Sequence, residues 1–145
     1  MKKFLTVLVL LGLVALSRID LVGPELAGLD SRTGDGAAVI EQAFADRRND
    51  VQVRGSGIVA RVLAPDNDGR PHQRFILELA GGRTVLVAHN LTLAEPLRGL
   101  QRGDTVEFFG EYEWNERGGV IHWTHDDPSG RHVDGWLRHR GVVYQ

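Results

Sequence analysis

Apolar and polar residues follow two different periods along the chain. Over residues 37–48, Ile40 and Phe44 fall on one helical face, and Asp35 precedes this stretch as an N-cap, so the pattern predicts a helix there. From Val51 onward the period changes to two, which is typical of strands. The predicted strands are 51–63, 73–79, 84–89, 105–114 and 120–125, and a last short extended piece is expected at 141–145.

Turn-forming residues separate these strands. Gly55-Ser56-Gly57 permits a bulge or a sharp bend within the first strand, and residues 66–71 form a turn cluster. Gly81-Gly82 has the composition of a two-residue hairpin turn, which would pair Ala80 with Arg83. Because Pro96 interrupts residues 91–100, this connection can form at most a short helical turn.

Five short strands with a helical connection between the third and fourth follow the order of an OB-fold barrel. The long first strand, bent at its glycines, suits a strand that must turn a barrel corner. We therefore predict an all-β fold, a small OB-fold-like five-stranded barrel with one N-terminal helix. It forms a single domain over residues 37–145.

The N-terminal segment has the pattern of a secretory signal peptide. A basic start, Met1-Lys2-Lys3, precedes a run of apolar residues, and Ala15-Leu16-Ser17 offers small residues for cleavage. We expect a signal peptide over 1–17, a flexible linker over 18–36, and a mature chain in the periplasm or outside the cell. The alternative is an uncleaved anchor, although Arg18 and Asp20 interrupt the run before about 20 apolar residues, the length that spanning requires. Once the signal is cleaved, no membrane span is expected.

Composition narrows the classes of function. The chain has no cysteine, which excludes disulfides, thiol catalysis and thiolate metal sites. Residues 18–145 hold 15 arginines against 19 acidic residues, a net charge of −4. Nucleic-acid binding is disfavoured by this charge and by the acidic residues Glu107 and Glu111, which flank the aromatic Phe109 on one strand.

The fourth and fifth strands are expected to form a hairpin around Glu116-Arg117. This register pairs Glu111 with His122 and Gly110 with Trp123, and a shift by one residue would bury glutamates. The other predicted pairs are Tyr112 with Ile121 and Trp114 with Gly119. The residues expected to face the core are Val106, Phe108, Tyr112, Ile121 and Trp123, and those expected to face outward are Glu107, Glu111, Glu113 and His122.

The Glu111–His122 pair is the first candidate for chemistry. A carboxylate that orients an imidazole can make it a base or a metal ligand, so Glu111, His122 and the nearby His125 are the candidate catalytic residues. The alternative is a surface charge pair with little effect on stability. His122 and His125 have opposite parity, and they converge only if the strand ends or bulges near Thr124.

The segment after the fifth strand contains the residue types of a divalent metal site. The candidate ligands, with zinc as the candidate cofactor, are His122, His125, Asp126, Asp127 and His132. Their spacing matches no standard zinc signature, and Asp127-Pro128-Ser129-Gly130 is also an ordinary turn composition.

A second candidate site lies at one end of the barrel, where small ligands often bind. The predicted hairpin places Arg74 opposite His89, and Asn90 is the next residue, so these three side chains could line a polar pocket. The alternative is that they satisfy loop carbonyls. His132 is added to this binding set because the turn at Ser129-Gly130 could fold it back.

Six segments together resemble a family of short exported bacterial proteins of unknown function. The resemblance covers about residues 50–145, and its signature is G-E-Y-E-W-N, G-G-V-I-H-W-T-H and G-W. The matching segments are residues 61–63, 72–77, 87–90, 110–115, 118–125 and 135–137. This chain has Asp126 where the family often has histidine. The resemblance implies no particular activity.

Three functions remain open from the sequence. The first is an exported binding module for a small ligand, without catalysis. The second is a metal-dependent hydrolase, nuclease-like, that uses the segment from His122 to His132. The third is a protein that binds a partner in the cell envelope.

Overall fold

A computed structural model describes residues 32–145 of the chain. The expected signal peptide, residues 1–17, and residues 18–31 of the expected linker lie outside the described residues. The elements are α1 (Arg32–Ala45), β1 (Val51–Val62), β2 (His72–Leu79), β3 (Thr84–Asn90), β4 (Thr105–Glu113), β5 (Val120–His122), β6 (Trp136–His139) and β7 (Val142–Tyr144). Within residues 32–145, no helix is both long and apolar enough to cross a membrane.

Five of the strands close into a barrel, which confirms the predicted OB-like fold. Antiparallel pairing joins β1 to β2, β2 to β3 and β5 to β4, and parallel pairing joins β3 to β5. The ring closes because β1 also pairs with β4, over Val51–Ile58. The first strand can serve two neighbours because it is long and curved, with a bulge between Val59 and Arg61.

Alternating side chains from all five strands fill the barrel. Phe75, Leu77, Phe108, Tyr112 and Ile121 are fully buried in this core. A Cβ at Gly55 would lie 2.8 Å from Cζ of Phe108, so a glycine at this position makes room for the phenyl ring inside the curve of β1. The predicted inward set is therefore confirmed for Val106, Phe108, Tyr112 and Ile121.

The helix packs against β1 and buries Ile40 and Ala43. It begins at Arg32, earlier than the predicted start at residue 37, so Asp35 lies inside it and residues 32–36 are helical rather than linker. Glycines in this first part lower helix propensity, which made the sequence favour a later start. In the fold, Gly36 lets the helix backbone approach Arg54 of β1, so tertiary packing overrides that preference.

The register of the β2–β3 hairpin differs by one residue from the prediction. Leu79, rather than Ala80, faces Arg83 across the turn, and Arg74 pairs with Ala88 rather than with His89. The physical reason is parity, because only this register places Phe75 and Leu77 on the same buried face as Val87.

β7 confirms the short extended piece expected at 141–145, whereas β6 was not predicted. β6 pairs with β4 over Val106–Phe109, beyond the point where β5 ends, and β7 pairs with β6. β5 itself stops at His122, short of the predicted end at His125. One edge of β4 is therefore shared between β5 and β6, and the chain must leave the sheet between them.

Candidate functional site

The outer face of β4 carries the candidate site. Glu107, Phe109, Glu111 and Glu113 alternate with the buried side chains of the same strand, so the three glutamates share one face. β5 places His122 directly across from Glu111, as predicted, and next to Glu113 along the diagonal. Strand parity and one tight hairpin therefore bring two carboxylates and one imidazole together.

We name Glu111, Glu113 and His122 the carboxylate–histidine cluster. Nε2 of His122 lies 3.6 Å from Oε1 of Glu111 and 3.5 Å from Oε1 of Glu113. The three side chains are 15%, 25% and 36% exposed, in the order Glu111, Glu113 and His122. Within the described residues, they form the one group of acidic and histidine side chains spaced to hold a metal ion.

Partial burial changes the protonation of the cluster. It raises the pKa of Glu113, and the adjacent Glu111 raises it further. Burial also lowers the pKa of His122, although Glu113 opposes this effect, so the imidazole favours its neutral form. The cluster thus combines two carboxyl groups that lie close together with a neutral imidazole, whose nitrogen can donate its lone pair to a metal ion.

Two buried polar atoms at the cluster have no hydrogen-bond partner within residues 36–145. They are Nε2 of His122 and Nε2 of Gln52, the residues that face Glu111 from the strands on its two sides. An unpaired polar atom away from water costs free energy. The row Gln52–Glu111–His122 therefore leaves one amide N–H donor and one imidazole nitrogen available to a bound group.

His132 joins the cluster from the loop after β5. Its Nδ1 lies 3.7 Å from Oε2 of Glu111, the oxygen on the other side of the carboxylate from His122. The indole of Trp123 stacks on the His132 ring, with 3.6 Å between ring centroids and 14° between ring planes. The His132 ring can therefore orient the Glu111 carboxylate, and the stacked Trp123 indole keeps the His132 ring in position.

Asp127 shapes the loop that carries His132. Its Oδ1 accepts hydrogen bonds from the backbone N–H and the hydroxyl of Ser129, and its Oδ2 accepts them from the backbone N–H groups of Arg131 and His132. These hydrogen bonds, with the Ser129 hydroxyl first among them, hold the pKa of Asp127 well below its usual range. Both oxygens of this carboxylate are engaged in folding the turn.

Trp123 lies outside the core, so the prediction that it faces inward opposite Gly110 is wrong. Its φ is 51°, a left-handed conformation that turns the chain out of β5 and reverses the side-chain parity. Gly110 instead makes room for the His122 carbonyl and the Thr124 methyl group, which approach it closely. Thr124 and His125 are therefore the buried residues after the strand.

A small polar pocket lies beside the cluster. We name it the histidine pocket, and its volume is about 170 Å³. It opens between the β1–β2 loop, the far end of β3 and the end of β5. Its polar and aromatic lining residues are Arg70, His72, Asn90, His122, Trp123 and His125.

The predicted barrel-end pocket is not formed by the residues assigned to it. Arg74 donates two hydrogen bonds to the carbonyl oxygen of Ala64, on the opposite face of the sheet from His89. His89 is buried, and its ring bonds to the Thr124 hydroxyl and to the Glu95 carbonyl oxygen. Of the three, Asn90 alone lines the histidine pocket.

The five residues predicted as metal ligands are not brought together. His122 belongs to the cluster and His132 borders it, whereas Asp127 folds the turn and Asp126 is exposed. His125 is buried, and it is one of the residues that line the histidine pocket. The two catalytic candidates Glu111 and His122 lie in contact, and the third, His125, lines the pocket with His122.

Sequence reasoning missed Glu113 of the cluster and three residues of the histidine pocket, which are Arg70, His72 and Trp123. The alternation along β4 places Glu113 on the outer face, and its spacing of two from Glu111 puts both carboxylates beside His122. No comparable signal marks His72, which reaches the pocket through the pairing of β2 with β3.

Fold and site together define a small OB-like β-barrel protein with a carboxylate–histidine cluster on its outer wall. Residues 26–145 match the family described as "Protein of unknown function (DUF3465)". The chain belongs to this family, which confirms the resemblance to a family of unknown function. Among curated proteins, none matches the chain.

Proposed function

We propose that this protein is an exported binding module that holds a divalent transition-metal cation in the carboxylate–histidine cluster. The observation that carries the proposal is the spacing of 3.5 and 3.6 Å between Nε2 of His122 and the two carboxylate oxygens. Ligand atoms bound to zinc at about 2.0–2.2 Å lie about 3.3–3.6 Å from one another in a tetrahedron. A hydrogen bond would bring them to about 2.7–3.2 Å.

Charge supports the same assignment. Glu111 and Glu113 are crowded and partly buried, so a dication between them would offset their repulsion. His122 favours the neutral form that metals require, because burial lowers the pKa of its imidazole. Nitrogen and oxygen ligands together suit zinc and other first-row divalent cations.

Metal binding can be tested with the purified, untagged mature protein. We expect stoichiometric Zn²⁺ by elemental analysis and by calorimetric titration, and about a 100-fold weaker affinity in Glu111→Gln, which removes one charged ligand. The matched control is Glu107→Gln, which changes an outward glutamate of the same strand that pairs with Arg138 instead. Equal Zn²⁺ affinity in both variants, or no binding by the wild-type protein, would contradict the proposal.

Export is the second part of the proposal, and it is supported by the basic start, apolar run and small residues of 1–17. Residues 1–36 fused to a reporter enzyme that is active only outside the cytoplasm should give reporter activity. The control replaces Leu8 and Val9 by aspartate, which breaks the apolar run. Reporter activity that survives this change, or that never appears, counts against export.

A metal-dependent hydrolase is a second candidate function. Three protein ligands leave a coordination position open, as in catalytic zinc sites. The test is hydrolysis of bis(4-nitrophenyl) phosphate with added Zn²⁺ or Mn²⁺. Hydrolysis that is lost in Glu111→Gln and retained in Glu107→Gln would support catalysis. Metal binding without hydrolysis would contradict the hydrolase and agree with a binding module.

A further inference from the structure

We propose that the histidine pocket, which shares His122 with the carboxylate–histidine cluster, is a binding site for one sugar ring, a compact ligand rich in hydroxyl groups. The pocket lies between the β1–β2 loop, which contributes Arg70, and the ends of β2 and β3, which contribute His72 and Asn90. OB-folds present oligosaccharides and oligonucleotides at this part of the barrel. The class of ligand is indicated by the side chains rather than by the fold.

Two imidazoles of the pocket are held as hydrogen-bond acceptors. Nδ1 of His72 lies 2.8 Å from the Arg70 carbonyl oxygen, and Nδ1 of His125 lies 2.7 Å from the Asp126 carbonyl oxygen. A carbonyl oxygen can only accept, so each Nδ1 carries the proton and donates it. In the neutral rings Nε2 is then left with a lone pair, which can accept a hydrogen bond from a hydroxyl group.

Two other residues that line the histidine pocket offer hydrogen-bond donors. Oδ1 of Asn90 accepts a hydrogen bond from the backbone N–H of Thr92, which leaves the amide –NH₂ as the group that Asn90 offers to a ligand. Arg70 adds a guanidinium, which is a donor only. Each hydroxyl of a sugar both donates and accepts, so a sugar ring can satisfy this alternation of acceptors and donors.

The aromatic wall and the size of the pocket agree with this ligand. Trp123 lines the pocket, and aromatic rings offer a flat apolar surface to the C–H face of a sugar. The ring is held in place because His132 stacks on one of its faces. A volume of about 170 Å³ limits the ligand to about one ring, since a closed cavity of roughly 150 Å³ holds one molecule of benzene.

An oxyanion fits less well. A phosphate offers mainly acceptors, whereas Nε2 of a neutral His72 or His125 ring also accepts, and Arg70 is the arginine of the pocket. Phosphate is therefore the competing ligand class, and it is included in the experiment.

The test is titration of isotope-labelled mature protein with D-glucose, D-galactose and N-acetyl-D-glucosamine, monitored by NMR. We expect at least one sugar to give saturable shifts of the His72 and His125 ring signals and of the Trp123 indole. A ligand of this size corresponds to a dissociation constant of about 1–10 mM. His72→Ala and the exposed variant Arg70→Gln should each weaken that binding at least about fivefold.

Two controls separate this site from the metal cluster. Glu113→Gln should reduce Zn²⁺ affinity and leave the sugar titration unchanged, and chelation of metal should likewise leave it unchanged. Arg61→Gln, an exposed arginine of β1, serves as the matched control for Arg70→Gln. The proposal is overturned if none of the three sugars shifts the His72 and His125 signals, or if inorganic phosphate shifts them instead.

Discussion

The Trp123 indole lies flat on the His132 imidazole, with 3.6 Å between the ring centroids. Trp123 adopts a left-handed backbone conformation to reach this position, at a φ of 51°. Such a conformation costs a non-glycine residue roughly 1–2 kcal/mol. Strain of this kind persists where surrounding contacts over-determine it, and it tends to mark functional segments. Here one strained residue ends β5, holds His132 beside Glu111 and forms a wall of the histidine pocket.

Substitution of Trp123 should reveal this strain. Trp123→Gly should be more stable than Trp123→Ala by about 1 kcal/mol, because glycine adopts the left-handed conformation without penalty. At most positions in a folded protein the alanine variant is the more stable of the two, so this is the reverse of the usual order. Chemical denaturation of both variants measures the difference in the free energy of unfolding. A more stable alanine variant would contradict the assigned backbone conformation.

Stability should depend on pH through His89. Burial lowers the pKa of His89 to about 4 from an ordinary value of 6.5. Between these two pH values His89 is protonated in the unfolded chain and neutral in the folded protein, so folding releases a proton. Above pH 6.5 His89 is neutral in both states and its ionisation does not affect the free energy of unfolding. As pH falls to about 4, the free energy of unfolding should decrease by about 3 kcal/mol.

Urea denaturation across this pH range measures the effect. In His89→Gln the decrease between pH 6.5 and 4 should become much smaller, although the variant loses stability at every pH because its hydrogen bonds to Thr124 and Glu95 change. The comparison therefore rests on how steeply the free energy of unfolding changes with pH rather than on its absolute value. An unchanged slope in the variant would assign the pH dependence to other groups.

Gly119 should tolerate no side chain. A Cβ there would overlap the ring of Tyr112, whose hydroxyl donates a hydrogen bond to the Gly118 carbonyl oxygen. We expect Gly119→Ala to cost about 3 kcal/mol or more. Gly81 is the matched control, since its φ of 94° is close to the 97° of Gly119 and a Cβ there would meet open space.

The difference between these two alanine variants isolates the overlap with Tyr112 from backbone strain. Gly81→Ala should cost roughly 1–2 kcal/mol, the penalty of the left-handed conformation alone. Thermal or chemical unfolding of both proteins gives the two values. Equal losses would show that the hairpin moves to accommodate the added methyl group.

Asp127→Asn should loosen the loop that carries His132. The asparagine side chain has one carbonyl oxygen in place of two carboxylate oxygens, so half of the capping hydrogen bonds are lost. Amide hydrogen exchange at Ser129, Arg131 and His132 should become faster. Asp126→Asn, a change at the exposed neighbour, should leave these rates unchanged. If both variants exchange alike, Asp127 does not hold the loop.

Local pattern predicted the barrel and one half of the candidate site. Period-two alternation placed Glu111 and His122 on the outer face, and the tight turn paired them, because a slip by one residue would have buried glutamates. The same reasoning failed for the β2–β3 hairpin. There Gly81-Gly82 suggested a two-residue turn, but the burial of Phe75 against Val87 decided the register.

The sequence alone determined the features that depend on parity and short range: the order of five strands along the chain, the buried face of β4 and the cross-strand pair of Glu111 and His122. Tertiary structure decided the path of the chain beyond His122. β6 occupies the edge of β4 that a longer β5 would have used, so the chain turns outward at Trp123 and returns through the loop that Asp127 folds. That competition between distant strands brings His132 to Glu111, and no local pattern encodes it.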